Sequence, residues 1–310
     1  IISLFILIAD TMFVVTNYQA TQEELRAEIT RQKKESLSSF DRYMDASYTS
    51  MLQLANFVAY DKKVKEMFSK GREAFLAGNK KLADEYRKKL YAYLEDSWGA
   101  LQGKYLVRQL HFHISPGDTS FLRVHKPDKF GDDLSSIRHT IVDSINKNKE
   151  IIGFESGRVY SGLRGVTPIS NIEGKTIGAL EAGTSFKAIV KEISYSIHAN
   201  FAVLLNVPYM ENTMWKERLR PFFEESPPIN NLFIEASSNE NIRELLSNPT
   251  LSLSKQSTHN QIIKMGEKSY AVFSKPLQSY QTTRDHIPEG IGYVLAWKDV
   301  SLLVERHKKN

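Results

Sequence analysis

The chain of 310 residues is 41% hydrophobic and 25% charged, which gives material for one or two packed domains and excludes an intrinsically disordered chain. Lys plus Arg number 41 against 36 Asp plus Glu, a net charge of +5. So mild a surplus, spread over this length, argues against DNA or RNA as a partner. Cysteine is absent, which removes disulfides, thiolate metal sites, iron–sulfur clusters and cysteine nucleophiles, and suits an oxidising compartment.

Ile1 to Val15 reads IISLFILIADTMFVV, apolar apart from Ser3, Asp10 and Thr11. A full span needs about 20 apolar residues, so residues 1–16 read as the C-terminal part of a transmembrane helix. A signal-peptide h-region and an amphipathic buried helix are the alternatives. No small-residue cleavage site follows, which favours an uncleaved anchor.

Residues 17–60 read as one long stalk helix. Thr21 and Glu24 have capping-box spacing, and Leu25, Ile29, Leu37, Phe40, Met44, Tyr48, Met51, Ala55 and Val58 recur at steps of mostly three and four without Gly or Pro. That pattern implies a rod of roughly 60 Å. Its stripe can pack on its own domain or on a second copy of the chain; Glu23, Arg26, Glu28, Arg31, Lys33, Lys34 and Glu35 form a solvated charged face. Two amphipathic helices follow between about Lys62 and Gly99, divided at Ala77 to Asn79, with Phe68, Phe75, Leu82, Tyr86, Leu90, Tyr93 and Leu94 expected inward.

The period then changes. Arg108 to Ile114 and Ser120 to Lys126 alternate like strands around the turn Ser115 to Asp118, a β-hairpin pattern. A helix over Asp133 to Lys147 precedes strands at 151–156, 163–170 and 176–183. After a helix near Ser185 to Tyr195 the style repeats: strands at 201–207 and 230–237, with a loop holding Pro221, Pro227 and Pro228 between them. A short helix at about 239–246, strands at 260–265, 268–277 and 290–297, and a basic helical tail at 299–310 complete the chain. The fold class is α+β: two tandem modules of PAS-like size, antiparallel sheets flanked by helices, strung on one long N-terminal helix.

The densest polar chemistry lies between His111 and Glu181. His111 and His113 share one strand face, as do Arg123 and His125 on the paired strand, while Leu110, Phe112, Ile114, Leu122 and Val124 form the opposite, apolar face. The polar face is expected to line a ligand cleft closed by the loop Phe130 to Leu134. Arg123, Arg138 and Arg164 suit a carboxylate or phosphate, since a guanidinium grips such groups bidentately. Asp132, Asp133 and Glu155 suit a ligand amine or the arginines themselves; Arg158 and Glu181 complete the candidate ligand-binding residues, and no catalytic residue is assigned. His111, His113, His125 and Asp132 leave open a metal or metal-chelate sensor, or a metal-dependent hydrolase. A purely structural stalk is a further alternative. Trp215 and the Pro221 to Pro228 segment are not expected to form a second pocket.

The run FLRVHKPDKFGDDLSSIR (Phe121 to Arg138), with LHFH, GFESGR (Gly153 to Arg158), LRGVTPI (Leu163 to Ile169) and IGALEAG (Ile177 to Gly183), resembles the double Cache extracytoplasmic sensor family in its FLRxHxPxxxGDDL variant. The resemblance covers nearly the whole chain. It implies a membrane-distal Cache module holding the pocket at 61–200, a membrane-proximal Cache module at 201–300 and an exit helix at 301–310 leading toward a second span. It further implies the periplasmic, non-catalytic sensor region of an inner-membrane chemoreceptor, histidine kinase or diguanylate cyclase, without a cofactor. The resemblance leaves the ligand class open; the arginines and acids of the polar face suit a small charged metabolite (carboxylate, amine or zwitterion), and the stripe of the long helix suits a homodimer.

Overall fold

The computed structural model describes the backbone of residues 2–158 and 160–309 and the side chains of residues 11–158 and 160–307. The expected anchor at residues 1–16 therefore lies largely outside the described side chains. Among the described residues, no helix is long and apolar enough to cross a membrane.

Without Gly or Pro to interrupt it, α1 runs unbroken over Ile2–Ala59, so Thr21 lies inside the helix and caps nothing. Asp61 then accepts hydrogen bonds from the backbone N–H groups of Lys63 and Val64 at 2.7 and 3.0 Å and starts α2 (Lys62–Leu76). Gly78, at a φ of +75°, turns the chain into α3 (Lys80–Tyr105). Of the residues expected inward here, Phe68, Leu90 and Leu94 are buried, whereas Phe75, Leu82 and Tyr93 are exposed. The small Ala83 and the stem of Arg87 take the inner face of α3 instead.

Strands β1 (Gln109–Ile114) and β2 (Thr119–Arg123) form the hairpin, followed by α4 (His139–Lys147), β3 (Ile151–Ser156), β4 (Ser161–Ser170), β5 (Thr176–Thr184) and α5 (Phe186–Ile197). The second unit holds β6 (Asn200–Asn206), α6 (Val207–Thr213), α7 (Lys216–Glu225), β7 (Leu232–Ser237), α8 (Ile242–Ser247), β8 (His259–Met265), β9 (Lys268–Leu277), α9 (Tyr280–Arg284), β10 (Gly292–Asp299) and α10 (Ser301–Lys309). Three departures from the sequence reading matter for the site. β2 ends at Arg123, α4 starts at His139 rather than Asp133, and the segment expected as a loop around Pro221 is helical. Pro208 sits in the first turn of α6, where its missing N–H costs nothing, and Pro221 is carried inside α7.

Each half builds a five-stranded antiparallel sheet with the same winding, β2-β1-β5-β4-β3 and β7-β6-β10-β9-β8. One face of the first sheet (Leu110, Phe112, Ile114, Leu122, Leu180, Ala182) packs on Met51, Ala55 and Val58 of α1 and on Phe68, Leu90 and Leu94. The apolar stripe of α1 is thus spent on its own chain. A Cβ added to Gly165 on β4 would collide with the backbone of Met51 and Leu52. At the junction of the two sheets, Phe40 stacks on Phe186 and Phe201 with centroids 6.3 and 6.2 Å apart, and Phe154 of β3 lies 4.9 Å from Phe186. The two halves therefore share a core.

Candidate functional site

On the face of the first sheet turned away from α1, the period of two does what the sequence implies. His111 pairs across the sheet with Glu181 of β5 and with Arg123 of β2, and a bulge follows between Phe112 and His113. The His111 and His113 rings lie 3.8 Å apart, and both are buried. Arg164 of β4 and Glu155 of β3 reach the same face, joined by Asp118 from the hairpin turn and by Arg138 at the head of α4.

These groups form a closed ionic lattice. Glu181 pairs with Arg164 and, at 2.7 Å, with Arg138. Glu155 accepts from Arg138 Nε at 3.0 Å, from the Thr140 N–H at 3.0 Å and from Thr140 Oγ1 at 2.7 Å. Arg164 also donates to Gln109 Oε1 at 2.6 Å and to the Glu155 carbonyl at 3.2 Å. His113 Nδ1 lies 2.5 Å from Asp118 Oδ1, and its Nε2 3.4 Å from Glu181; His111 Nε2 faces Ser120 Oγ at 2.8 Å.

The electrostatics follow from burial against pairing. Burial opposes the Glu181 charge, but Arg138 and Arg164 outweigh it and hold the carboxyl well below its ordinary range. Burial alone would lower His113, yet Asp118 and Glu181 raise it. His111 lacks so close a carboxylate, and burial with its His113 neighbour drives it well below the usual imidazole value. His125, desolvated with only weak compensation, falls to about 4.

Outside this lattice opens a cavity of about 310 Å³, within the range of small-molecule sites. Its inner wall is Gln109, His111, Arg138 and Arg164; one side is the β2–α4 loop with Arg123, His125, Lys126, Lys129, Phe130, Asp132 and Leu134. The other side is the β3–β4 turn (Gly157, Arg158, Tyr160), and the last wall comes from the second half of the chain, Trp215 and Arg218. Arg123 and Asp132 grip each other through two hydrogen bonds of 2.8 Å, which fixes the loop. His125 Nδ1, 3.2 Å from the Leu110 carbonyl, holds the chain just past the end of β2.

The candidate residues thus divide. His111, Arg123, His125, Asp132, Arg138, Arg158 and Arg164 line the cavity. His113, Glu155 and Glu181 lie behind its wall as counter-ions and orienting partners. Asp133 does not line it: its exposed carboxylate accepts from the Ser135 N–H at 2.9 Å and shapes the loop. Gln109, Lys126, Lys129, Tyr160, Trp215 and Arg218 were missed. Gln109 sits two residues before His111 on one strand face, so period two predicts it. Lys126 and Lys129 lie inside the motif run; Trp215 and Arg218 arrive through α6 and α7 from another sheet, a placement with no local signal.

A metal does not fit. His111, His113 and Glu181 bring ligand atoms within 4.8 Å of one another, but Glu181 is committed to two guanidinium groups and His113 to Asp118. A cation there would face two fixed positive charges.

A family profile described as the double sensory domain of two-component sensor kinase matches residues 26–285. No curated protein matches significantly. Among solved structures, the chain is similar to the sensor domain of the V. cholerae histidine kinase DctB (12% identity, 89% of this chain and 98% of that one, TM-score 0.49). It is also similar to the sensory domain of the Campylobacter jejuni chemoreceptor Tlp3 with isoleucine bound (10% identity, 93% and 98%, TM-score 0.48). A third likeness is to the ligand-binding domain of Mlp24 with asparagine (14% identity, 93% and 99%, TM-score 0.45).

Proposed function

The chain belongs to the double Cache family of sensory domains, and on that premise we propose that it is the periplasmic ligand-binding region of an inner-membrane receptor whose first, membrane-distal module binds a small metabolite bearing a carboxylate or phosphate. The observation that carries this reading is the charge of the cavity wall. Arg123, Lys126, Lys129, Arg138, Arg158, Arg164 and Arg218 line it, against the carboxylate of Asp132 alone among the described lining residues. Glu155 and Glu181 neutralise Arg138 and Arg164 from behind, and Asp132 neutralises Arg123. Lys126, Lys129, Arg158 and Arg218 have no ion pair among the described residues, so the cavity presents uncompensated positive charge.

The pairing of the acids narrows the ligand. A carboxylate free to pair with an ammonium would favour an amine, but Asp132 is engaged through both oxygens and Asp133 points elsewhere. We favour an anion over an amine, and a sensor over a metal-dependent hydrolase, because the buried His–Glu cluster is already held by arginines. Binding between the β2–α4 loop and the sheet favours one arrangement of these elements, and α1, packed on the sheet at Gly165, carries the difference toward the membrane and the output domain. With its stripe buried, α1 offers a second copy its outer face, where Phe57 is 82% exposed.

A thermal-shift screen of carboxylates, phosphates, amines and divalent metals tests the reading. Anions that raise the melting temperature of the wild type, and fail to do so after Arg158→Ala, support it. Stabilisation by amines or metals alone contradicts it.

A further inference from the structure

Resting on the anion-binding reading of the cavity, we infer that the site is completed by the second module: Trp215 and Arg218 hold the far end of a ligand that joins an anionic group to a flat apolar body, of the aromatic carboxylate class. The cavity is more than a cluster of cations. Phe130, Tyr160 and Trp215 supply aromatic surface to three of its sides, and Leu134 adds an aliphatic patch. Trp98 and Trp297 are buried, whereas Trp215 lines the cavity and is 47% exposed. An indole left half open in the wall of a cationic cavity has surface that a flat ligand covers.

Arg218 is the second half of the observation. Its guanidinium carbon stands 5.7 Å from the Tyr160 ring centroid and 5.8 Å from that of Phe222, so two rings position it. Arg218 lines the cavity and has no ion pair among the described residues, so no carboxylate of the chain competes for its guanidinium. A ligand carboxylate or phenolate oxygen is an acceptor that fits it.

The geometry that brings these residues in is fixed rather than incidental. The Trp215 N–H donates to the Arg158 carbonyl at 3.1 Å, and the Ser156 N–H donates to Tyr209 Oη of α6 at 3.3 Å. The start of α7 is therefore tied to the β3–β4 turn that forms the adjoining wall of the cavity. A cavity of about 150 Å³ accepts one benzene ring, so about 310 Å³ holds a ring with its acid group. An aliphatic polyanion would use the cations and leave the aromatic surface wet; an aromatic acid uses both.

Titration of the purified chain with benzoate, phenylacetate, succinate and inorganic phosphate tests this, followed in parallel by calorimetry and by tryptophan emission excited at the red edge. An aromatic acid is expected to bind and change the emission, with the optical response lost and binding heat still measurable in Trp215→Phe. Arg218→Ala should weaken the same acid about ten-fold without lowering the melting temperature. If succinate or phosphate binds and the aromatic acids do not, the anion site stands and this inference fails. It fails equally if an aromatic acid binds with unchanged emission and unchanged affinity in Arg218→Ala. If none of the four binds, the anion reading falls and this inference with it.

Discussion

The two sheets share a winding and differ in what they bury. In the second sheet both faces are apolar: Phe201, Val203, Phe273 and Val294 face α1 and α5, while Ala202, Leu204, Val272 and Trp297 face α8. In the first sheet one face is equally apolar, but the other buries His111, His113, Arg164, Glu155 and Glu181. Both solutions satisfy the same backbone. A buried ion lattice is weak evidence for stability, because desolvation offsets much of the attraction between the charges. The contrast therefore teaches that this fold forms without a buried polar face, as the second sheet shows, and that in the first sheet the lattice orients a wall of guanidinium groups toward the cavity.

Breaking the lattice should give the largest effect. Glu181→Ala leaves buried Arg164 without a carboxylate and Arg138 with Glu155 alone, and is expected to cost about 3–5 kcal/mol, read as a lower midpoint in urea. Replacing Arg138, Arg164 and Glu181 with Leu, Met and Leu, together with Glu155→Gln so that no buried carboxylate loses its partner, should recover most of that stability and abolish anion binding. A quadruple variant as unstable as the single one would mean that the first sheet, unlike the second, needs its charges to fold.

Acid sharpens the same comparison more gently. Unfolded histidine titrates near 6.5, and burial holds His125 at about 4 and His111 well below its usual value. As pH falls below 6.5 the unfolded chain takes up protons that these two folded side chains refuse, so stability declines through the window from 6.5 toward 4. His113 runs the other way: its raised value adds stability in full below pH 6.5, lost as pH rises through its folded value. His125→Asn should therefore reduce the loss of denaturation midpoint between pH 7 and pH 5. An unchanged slope would contradict the buried, neutral assignment.

The smallest effect belongs to Asp133→Ala. Its carboxylate caps one loop N–H in solvent, so the cost should stay within about 1 kcal/mol, with anion affinity unchanged. A ten-fold loss of affinity would return Asp133 to the site.

How much of this was legible in the sequence follows from the range of each signal. Strand alternation over Leu110 to Ile114 placed both histidines on one face, because side-chain direction in a strand is fixed by the residue's own position. Gly-free, Pro-free periodicity placed the C-terminal end of α1 near residue 60 but not its start, since the helix runs unbroken through Thr21, and the run from Phe121 to Arg138 pointed to the loop that lines the cavity. Asp132 and Asp133 could not be told apart in the sequence because adjacent carboxylates in a loop have no period to separate them: Asp132 turns to Arg123 and Asp133 to its own backbone. The helix through Pro221 was hidden by the residue's usual role as a breaker. Trp215 and Arg218 reach the cavity only through packing between the two halves, which no local pattern encodes.

The most direct test of the central claim is calorimetric titration of anions into the wild type and into Arg158→Glu, at low and high salt. Arg158 lines the cavity without an ion pair among the described residues, so reversing its charge should abolish binding of whichever anion the wild type takes, with wild-type affinity falling as salt rises. Equal affinity in the two proteins, insensitive to salt, would contradict the claim that the uncompensated positive charge of this cavity is what receives the ligand.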